Sequence, residues 1–128
     1  MAYECITVAR EGPFTTVTMN LPSKRNALSL AHLRELQDAF SAISDTDARG
    51  VIFAGNGPVF SAGHDYADMA GADLAAMRLL LTTCTDVMLT MQSIPQVVIA
   101  RVHGLATAAG CQLVASCELA VAAGRRGR

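Results

Sequence analysis

The spacing of apolar residues changes once within the first fifty positions. Residues 5–8 and 14–19 alternate apolar and polar side chains and are rich in β-branched residues. Gly12-Pro13 lies between them, so the segment is predicted to be a hairpin. From Leu30 the interval lengthens: Leu30, Leu33, Leu36, Phe40 and Ile43 recur at helical spacing, with Ser29 as N-cap and Gly50 beyond the far end. Residues 51–54 form a short apolar run, closed by the turn composition Gly55-Asn56-Gly57-Pro58. A second helix is predicted over 72–94 and ended by Pro95; its stripe of Leu74, Met77, Leu81, Cys84, Met88 and Met91 reads as a core face rather than a coiled-coil seam. Residues 97–102 are apolar except for Arg101, as in a strand covered on both faces. A short helix over 106–116 and a strand over 119–123 follow. This alternation predicts an α/β fold with a parallel sheet.

Composition narrows the classes. A chain of 128 residues with 52% hydrophobic and 16% charged residues is expected to form one domain with a real core, which excludes disorder. A formal net charge of −1 gives no general attraction to nucleic acid or anionic lipid, so neither is an expected partner. No stretch reaches the roughly 18 uninterrupted apolar residues of a bilayer crossing, and the start, MAYECITVAREG, lacks the basic and apolar regions of a secretion signal. A cytoplasmic location is the expectation. Cys5, Cys84, Cys111 and Cys117 show no CxxC spacing and sit among apolar residues, so they read as reduced, buried thiols; the three histidines are scattered, and no metal is expected.

The candidate chemistry lies in two small-residue segments, FSAGHD at 60–65 and VHGLATAAGCQLVASCELAV at 102–121. Ala62, Gly63, Gly104, Ala106, Ala108, Ala109 and Gly110 allow close backbone approach. Each segment alone reads as an ordinary tight turn. Facing each other, they can aim two main-chain N–H groups at one oxygen, as stabilisation of an oxyanion requires.

From about Tyr3 to Ala123, these segments and their strand context resemble the crotonase superfamily, the enoyl-CoA hydratases and isomerases, over the front half of that family's domain. The resemblance implies a crotonase-like spiral of ββα units, incomplete at the C-terminus, with residues 1–123 as its N-terminal part and 124–128 as a basic tail outside the family pattern. It implies that the backbone N–H groups of His64 and Ala109 hold a thioester oxygen; alanine at 109 is acceptable only at negative φ. The His64 imidazole would line the pocket or point away. Gln112 falls where the family has the first of two catalytic glutamates, and the second would lie beyond Arg128. An amide orients water but cannot take its proton, so efficient hydration is not expected.

For coenzyme A, the resemblance implies contacts from Lys24 and Arg25 near the adenine and phosphate end. Backbone at Ala27, Ala62 and Asp65 follows the ligand path, Gly63 and Gly110 lie in the two turns, and Leu28 and Met69 lie beside the acyl or pantetheine chain. No tightly bound cofactor is implied, since the CoA thioester is the substrate. Family members assemble as trimers or hexamers. The family reaction is hydration of a trans-2-enoyl-CoA or double-bond isomerisation, expected to be weak or absent here. The alternatives are a non-catalytic acyl-CoA-binding or interaction fragment, and a decarboxylase, since a decarboxylating branch shares GHD. Of the other groups, Asp65 reads as an N-cap, Asp68 and Asp73 as solvated, Glu118 as structural, and Ser61 and Ser116 lack the context of a nucleophile.

Overall fold

The computed structural model describes residues 2–124. Strands β1 (Ile6–Glu11) and β2 (Phe14–Met19) pair antiparallel, with Glu11 opposite Phe14. Gly12 turns the chain at φ +60°, a conformation that glycine adopts without a Cβ penalty. Helix α1 (Leu30–Ser44) begins at Ser29, whose side chain accepts from His32 N at 3.1 Å. Strand β3 (Gly50–Gly55) then lies parallel to β2; helices α2 (Tyr66–Met69) and α3 (Leu74–Ser93) precede β4 (Val97–Val102), parallel to β3. Helix α4 (Ala109–Ala115) leads to β5 (Leu119–Ala122), giving the sheet order β1-β2-β3-β4-β5. The tail expected at 124–128 lies outside the described residues except for Gly124.

One face of the sheet supplies the core. Val17, Met19, Val51, Phe53 and Val98 pack with Leu33, Leu36 and Phe40 of α1 and with Leu80, Cys84, Val87 and Met91 of α3. Phe53 meets Phe40 and Phe60 edge-on, at centroid separations of 5.7 and 5.4 Å, so aromatic packing ties α1 and the chain after β3 to the sheet centre. The predicted stripe on α3 is therefore only partly right. Cys84 and Met91 are buried as expected and Met88 packs half-buried against the core, but Leu74 and Leu81 are exposed and Met77 is half-buried, and Leu80 and Val87 complete the contact instead. Because Leu79, Leu80 and Leu81 are consecutive, apolar residues surround the helix and tertiary packing selects the face. By length and composition alone, α3 is also apolar enough to cross a membrane, although Arg78 and Asp86 interrupt it and one face is in the core.

The opposite sheet face is open. Phe14, Ile52, Ile99, Arg101 and Val121 line it, Val97 is 43% exposed and β5 is exposed throughout, so β4 is not covered on both faces as expected. The buried-thiol expectation holds for Cys5 and Cys84, but Cys111 is exposed and Cys117 half-buried; all four are free. Burial pushes the Cys117 thiol up to about 12, far from a reactive thiolate.

His32 is a core residue that the helical pattern did not reveal. Its ring is fully buried; Nδ1–H donates to the Ala27 carbonyl at 2.9 Å, and Nε2 has no partner. Burial lowers its pKa, outweighing the raising effects of the Ala27 bond and Glu35. Because the folded value lies below the unfolded one, the unfolded chain takes up the proton first as pH falls. His32 therefore contributes full stability above the unfolded value of about 6.5 and loses it below. The urea midpoint is expected to fall between about pH 7.5 and pH 5.5, with a slope from this group of at most about 1.4 kcal/mol per pH unit; an unchanged midpoint would contradict the assignment.

Candidate functional site

Three segments meet at the ends of β3 and β4. Phe60 N and Ser61 N both donate to Leu105 O, at 2.8 and 3.2 Å, and Thr107 N returns a bond to Ser61 O at 3.0 Å. On the other side, Ala62 N donates to Arg25 O at 3.0 Å and Leu28 N to Gly63 O at 2.7 Å. Isolated bridges between Leu28 and His64 and between Ser61 and Ala106 make 60–64 the middle of a small three-stranded patch. The two sequence segments thus face each other as expected.

Close approach explains the glycines. A Cβ at Gly63 would lie 3.0 Å from Ala108 Cβ, 3.2 Å from Thr107 O and 3.3 Å from Ala109 N, and Gly63 has φ +92°. At Gly110 a Cβ would meet Ser61 O at 2.6 Å, so a side chain there would push the loops apart.

Peptide planarity fixes where the two amides point. Gly63 O is held by Leu28 N, so the His64 N–H in the same trans peptide projects away from Leu28. Ala108 O accepts from Gln112 N at 3.1 Å along α4, so the Ala109 N–H projects out of the helix start. Neither N–H has an acceptor among the described residues. Standard bond geometry puts a Cβ within about 3.7 Å of the following nitrogen, which bounds the separation of the His64 and Ala109 nitrogens at about 7 Å. One oxygen accepting two bonds of about 2.9 Å spans up to about 6 Å.

Strain sits beside this amide. Ala109 is not among the positive-φ residues, as alanine there requires; Ala108 instead takes φ 50°, ψ −125°. With Gly110 N donating to Thr107 O at 2.8 Å, residues 107–110 form a type II′ turn whose first central position normally holds glycine. Relief of about 1–3 kcal/mol of strain, less about 0.4–1 kcal/mol of added chain entropy, makes Ala108→Gly a stabilising change. A raised urea midpoint checks this; a lowered one contradicts the strain assignment.

The other predicted residues divide. Lys24 ends a single 3-10 turn (Pro22–Lys24) and Arg25 follows at φ 54°; both are exposed beside the Ala62 edge of the patch. Ala27 is half-buried and Ala62 exposed. Leu28 is fully buried in the core, and Met69 is half-buried against it. Asp65 caps α2, accepting from Ala67 N at 2.9 Å. Asp73 and Asp68 are exposed but more than solvated: Asp73 caps α3, and Asp68 Oδ2 accepts from Leu30 N at 2.7 Å. Gln112 is exposed on α4, three residues after Ala109. His64 is half-buried, and its Nδ1 is buried without a partner.

Two organising residues were missed. Asn26 is fully buried in the left-handed region at φ 51°; its Oδ1 accepts from Leu21 N at 2.8 Å, and its Nδ2 donates to Asn56 O at 2.9 Å, Phe60 O at 2.9 Å and Val59 O at 3.3 Å. Ser61, also fully buried, donates through Oγ to Asn26 O at 3.0 Å and accepts from Gly63 N at 3.2 Å. Asparagine's tolerance of the left-handed region is a local turn signal, but its partners are backbone atoms, most of them distant, with no pattern of their own.

Residues 10–126 match the enoyl-CoA hydratase/isomerase family. The mitochondrial enoyl-CoA hydratase domain-containing protein 3 of Danio rerio is 42% identical over 115 residues, covering 88% of this chain and 40% of that protein. Human mitochondrial Delta(3,5)-Delta(2,4)-dienoyl-CoA isomerase is 36% identical over 80% of this chain and 35% of that one. Among solved structures, an enoyl-CoA hydratase of Mycobacterium smegmatis superposes with a TM-score of 0.90 at 46% identity, over 93% of this chain and 48% of that one. Human enoyl Coenzyme A hydratase domain-containing protein 3 also gives 0.90, at 40% identity. The expected crotonase-type α/β fold is borne out, and the chain spans less than half the length of these relatives. The cytoplasmic expectation is overturned: relatives from fish, rat and human are designated mitochondrial, and the sequence features used for that expectation do not report a destination.

Proposed function

Because this chain belongs to the enoyl-CoA hydratase/isomerase family, we propose that it binds an acyl-CoA thioester with the carbonyl oxygen between the N–H groups of His64 and Ala109. The observation that carries this reading is the pair of amides without an acceptor among the described residues, each directed by a carbonyl already bonded to another residue. Two fixed donors act on charge developing at the thioester oxygen, where loss of one typically costs about 2.7–4 kcal/mol. Lys24 and Arg25 supply positive charge for the CoA phosphates, and backbone from Ala27 to Leu28 and from Ala62 to Asp65 follows the rest of the ligand. The CoA thioester is the substrate, with no resident cofactor needed.

Gln112 sets the limit on the reaction. Its carboxamide can orient a water through hydrogen bonds, but activating that water needs a base, and Gln112 cannot take the proton. Crotonyl-CoA hydration, followed by loss of ultraviolet absorbance, is expected to run far below the enzyme median of about 10 s⁻¹. Titration calorimetry with acetyl-CoA should nevertheless detect saturable binding. Absence of heat up to millimolar ligand would end the thioester reading, and turnover near the median would end the low-activity reading.

A second reading is favoured by the same neutral residue. Decarboxylation of a malonyl-type thioester breaks a carbon–carbon bond, leaves its electron pair as an enolate on the thioester oxygen and takes a proton from water afterwards; no base starts it. An amide at 112 does not repel the substrate carboxylate as glutamate would. Conversion of malonyl-CoA to acetyl-CoA and carbon dioxide distinguishes this decarboxylase from a non-catalytic acyl-CoA binder, which would give binding heat and no product.

A further inference from the structure

We infer that Ser61 is a positioning residue that holds both oxyanion donors in register, an inference that rests on the thioester reading above. Its hydroxyl is committed in both directions: the proton goes to Asn26 O at 3.0 Å, and a lone pair accepts Gly63 N at 3.2 Å. The second bond fixes the peptide preceding Gly63, while Leu28 fixes the one following it, so the His64 N–H is set by clamps on either side of a glycine at φ +92°. The backbone of Ser61 acts on the other donor. Its carbonyl accepts Thr107 N at 3.0 Å, its N–H donates to Leu105 O at 3.2 Å, and Gly110 packs so closely that an added Cβ would lie 2.6 Å from Ser61 O. One fully buried residue therefore touches the segment carrying each amide.

The side chain is suited to this place for specific reasons. Alanine would leave Gly63 N–H and Asn26 C=O without this partner in a dry site. The extra methyl of threonine would enter space where even a Cβ on Gly110 would lie 2.9 Å from the serine Oγ. Cysteine keeps the shape but is a weaker donor and acceptor. Loss of the hydroxyl removes one of the two clamps on Gly63 and leaves the aim of the His64 amide to the Leu28 bond alone, while the backbone bonds of residue 61 still tie the loops together.

The experiment is a spectral titration with a cinnamoyl-CoA chromophore, whose absorption moves to longer wavelength when its thioester carbonyl is polarised. The unaltered chain should show the red shift. Ser61→Ala should lose at least half of it, with affinity weakened about three- to tenfold, and circular dichroism and urea unfolding should show a folded protein. Ser61→Cys should give an intermediate shift, and it decides the matter if the alanine variant does not fold. A full-size shift in either folded variant overturns the positioning role. Saturable binding with no shift in the unaltered chain overturns the thioester reading instead.

Discussion

Replacing Gly63 with alanine is expected to lower turnover through any enolate by about 10²–10³-fold and affinity for a resting thioester by about tenfold. The added Cβ would lie 3.3 Å from Ala109 N and 3.0 Å from Ala108 Cβ, crowding one donor directly, while φ +92° strains the backbone that aims the other. Strain alone costs about 1–3 kcal/mol of folding stability, so the variant has to be compared with a change that carries only the strain. Gly71→Ala serves: it has φ +70° and nothing within 4 Å of its new Cβ. Acetyl-CoA calorimetry should separate the two, with Gly71→Ala binding normally and Gly63→Ala weakly. Equal affinities would show that the turn at 63 does not form the thioester site.

The second large effect is expected at Asn26. In Asn26→Ala the Leu21 N–H and the carbonyls of Asn56 and Phe60 lose their side-chain partner. Only the Phe60 carbonyl is fully buried; at about 1–3 kcal/mol for it, about 0.5–1.5 kcal/mol for each of the two more accessible groups and about 1–2 kcal/mol for alanine in the left-handed region, the loss is about 3–8 kcal/mol, a large part of the total stability of a small domain. Asn26→Asp keeps the acceptor for Leu21 but turns a carboxylate toward three carbonyls, so it should be no milder. Urea unfolding measures both. A loss under about 1 kcal/mol would mean that Asn26 is not the fastener described here.

The parts of the fold legible in the sequence are those that local chemistry decides. β2 and β4 follow their alternating or continuous apolar runs to the residue, and Ser29 and Asp65 cap helices because a short polar side chain precedes each start. The pairing of FSAGHD with the segment after β4 was legible because each has small residues where backbone meets backbone. Other features depend on distant groups. Neither the core face of α3 nor the open face of β4 could be fixed while apolar residues pointed both ways. Helix α4 starts at Ala109 rather than 106 because residues 107–110 first form the strained turn. Asn26 and Ser61 escaped notice for a related reason: backbone atoms from other segments satisfy them, and a backbone carbonyl looks the same in every sequence.

The central claim, that two main-chain amides converge on one thioester oxygen, is most directly tested by following the amide proton and nitrogen shifts of the ¹⁵N-labelled chain as acetyl-CoA is added. Saturating ligand should move the His64 and Ala109 amides downfield together, with a common dissociation constant and more strongly than any other backbone N–H. Binding that leaves both signals in place, or moves only one, would contradict the shared oxyanion site.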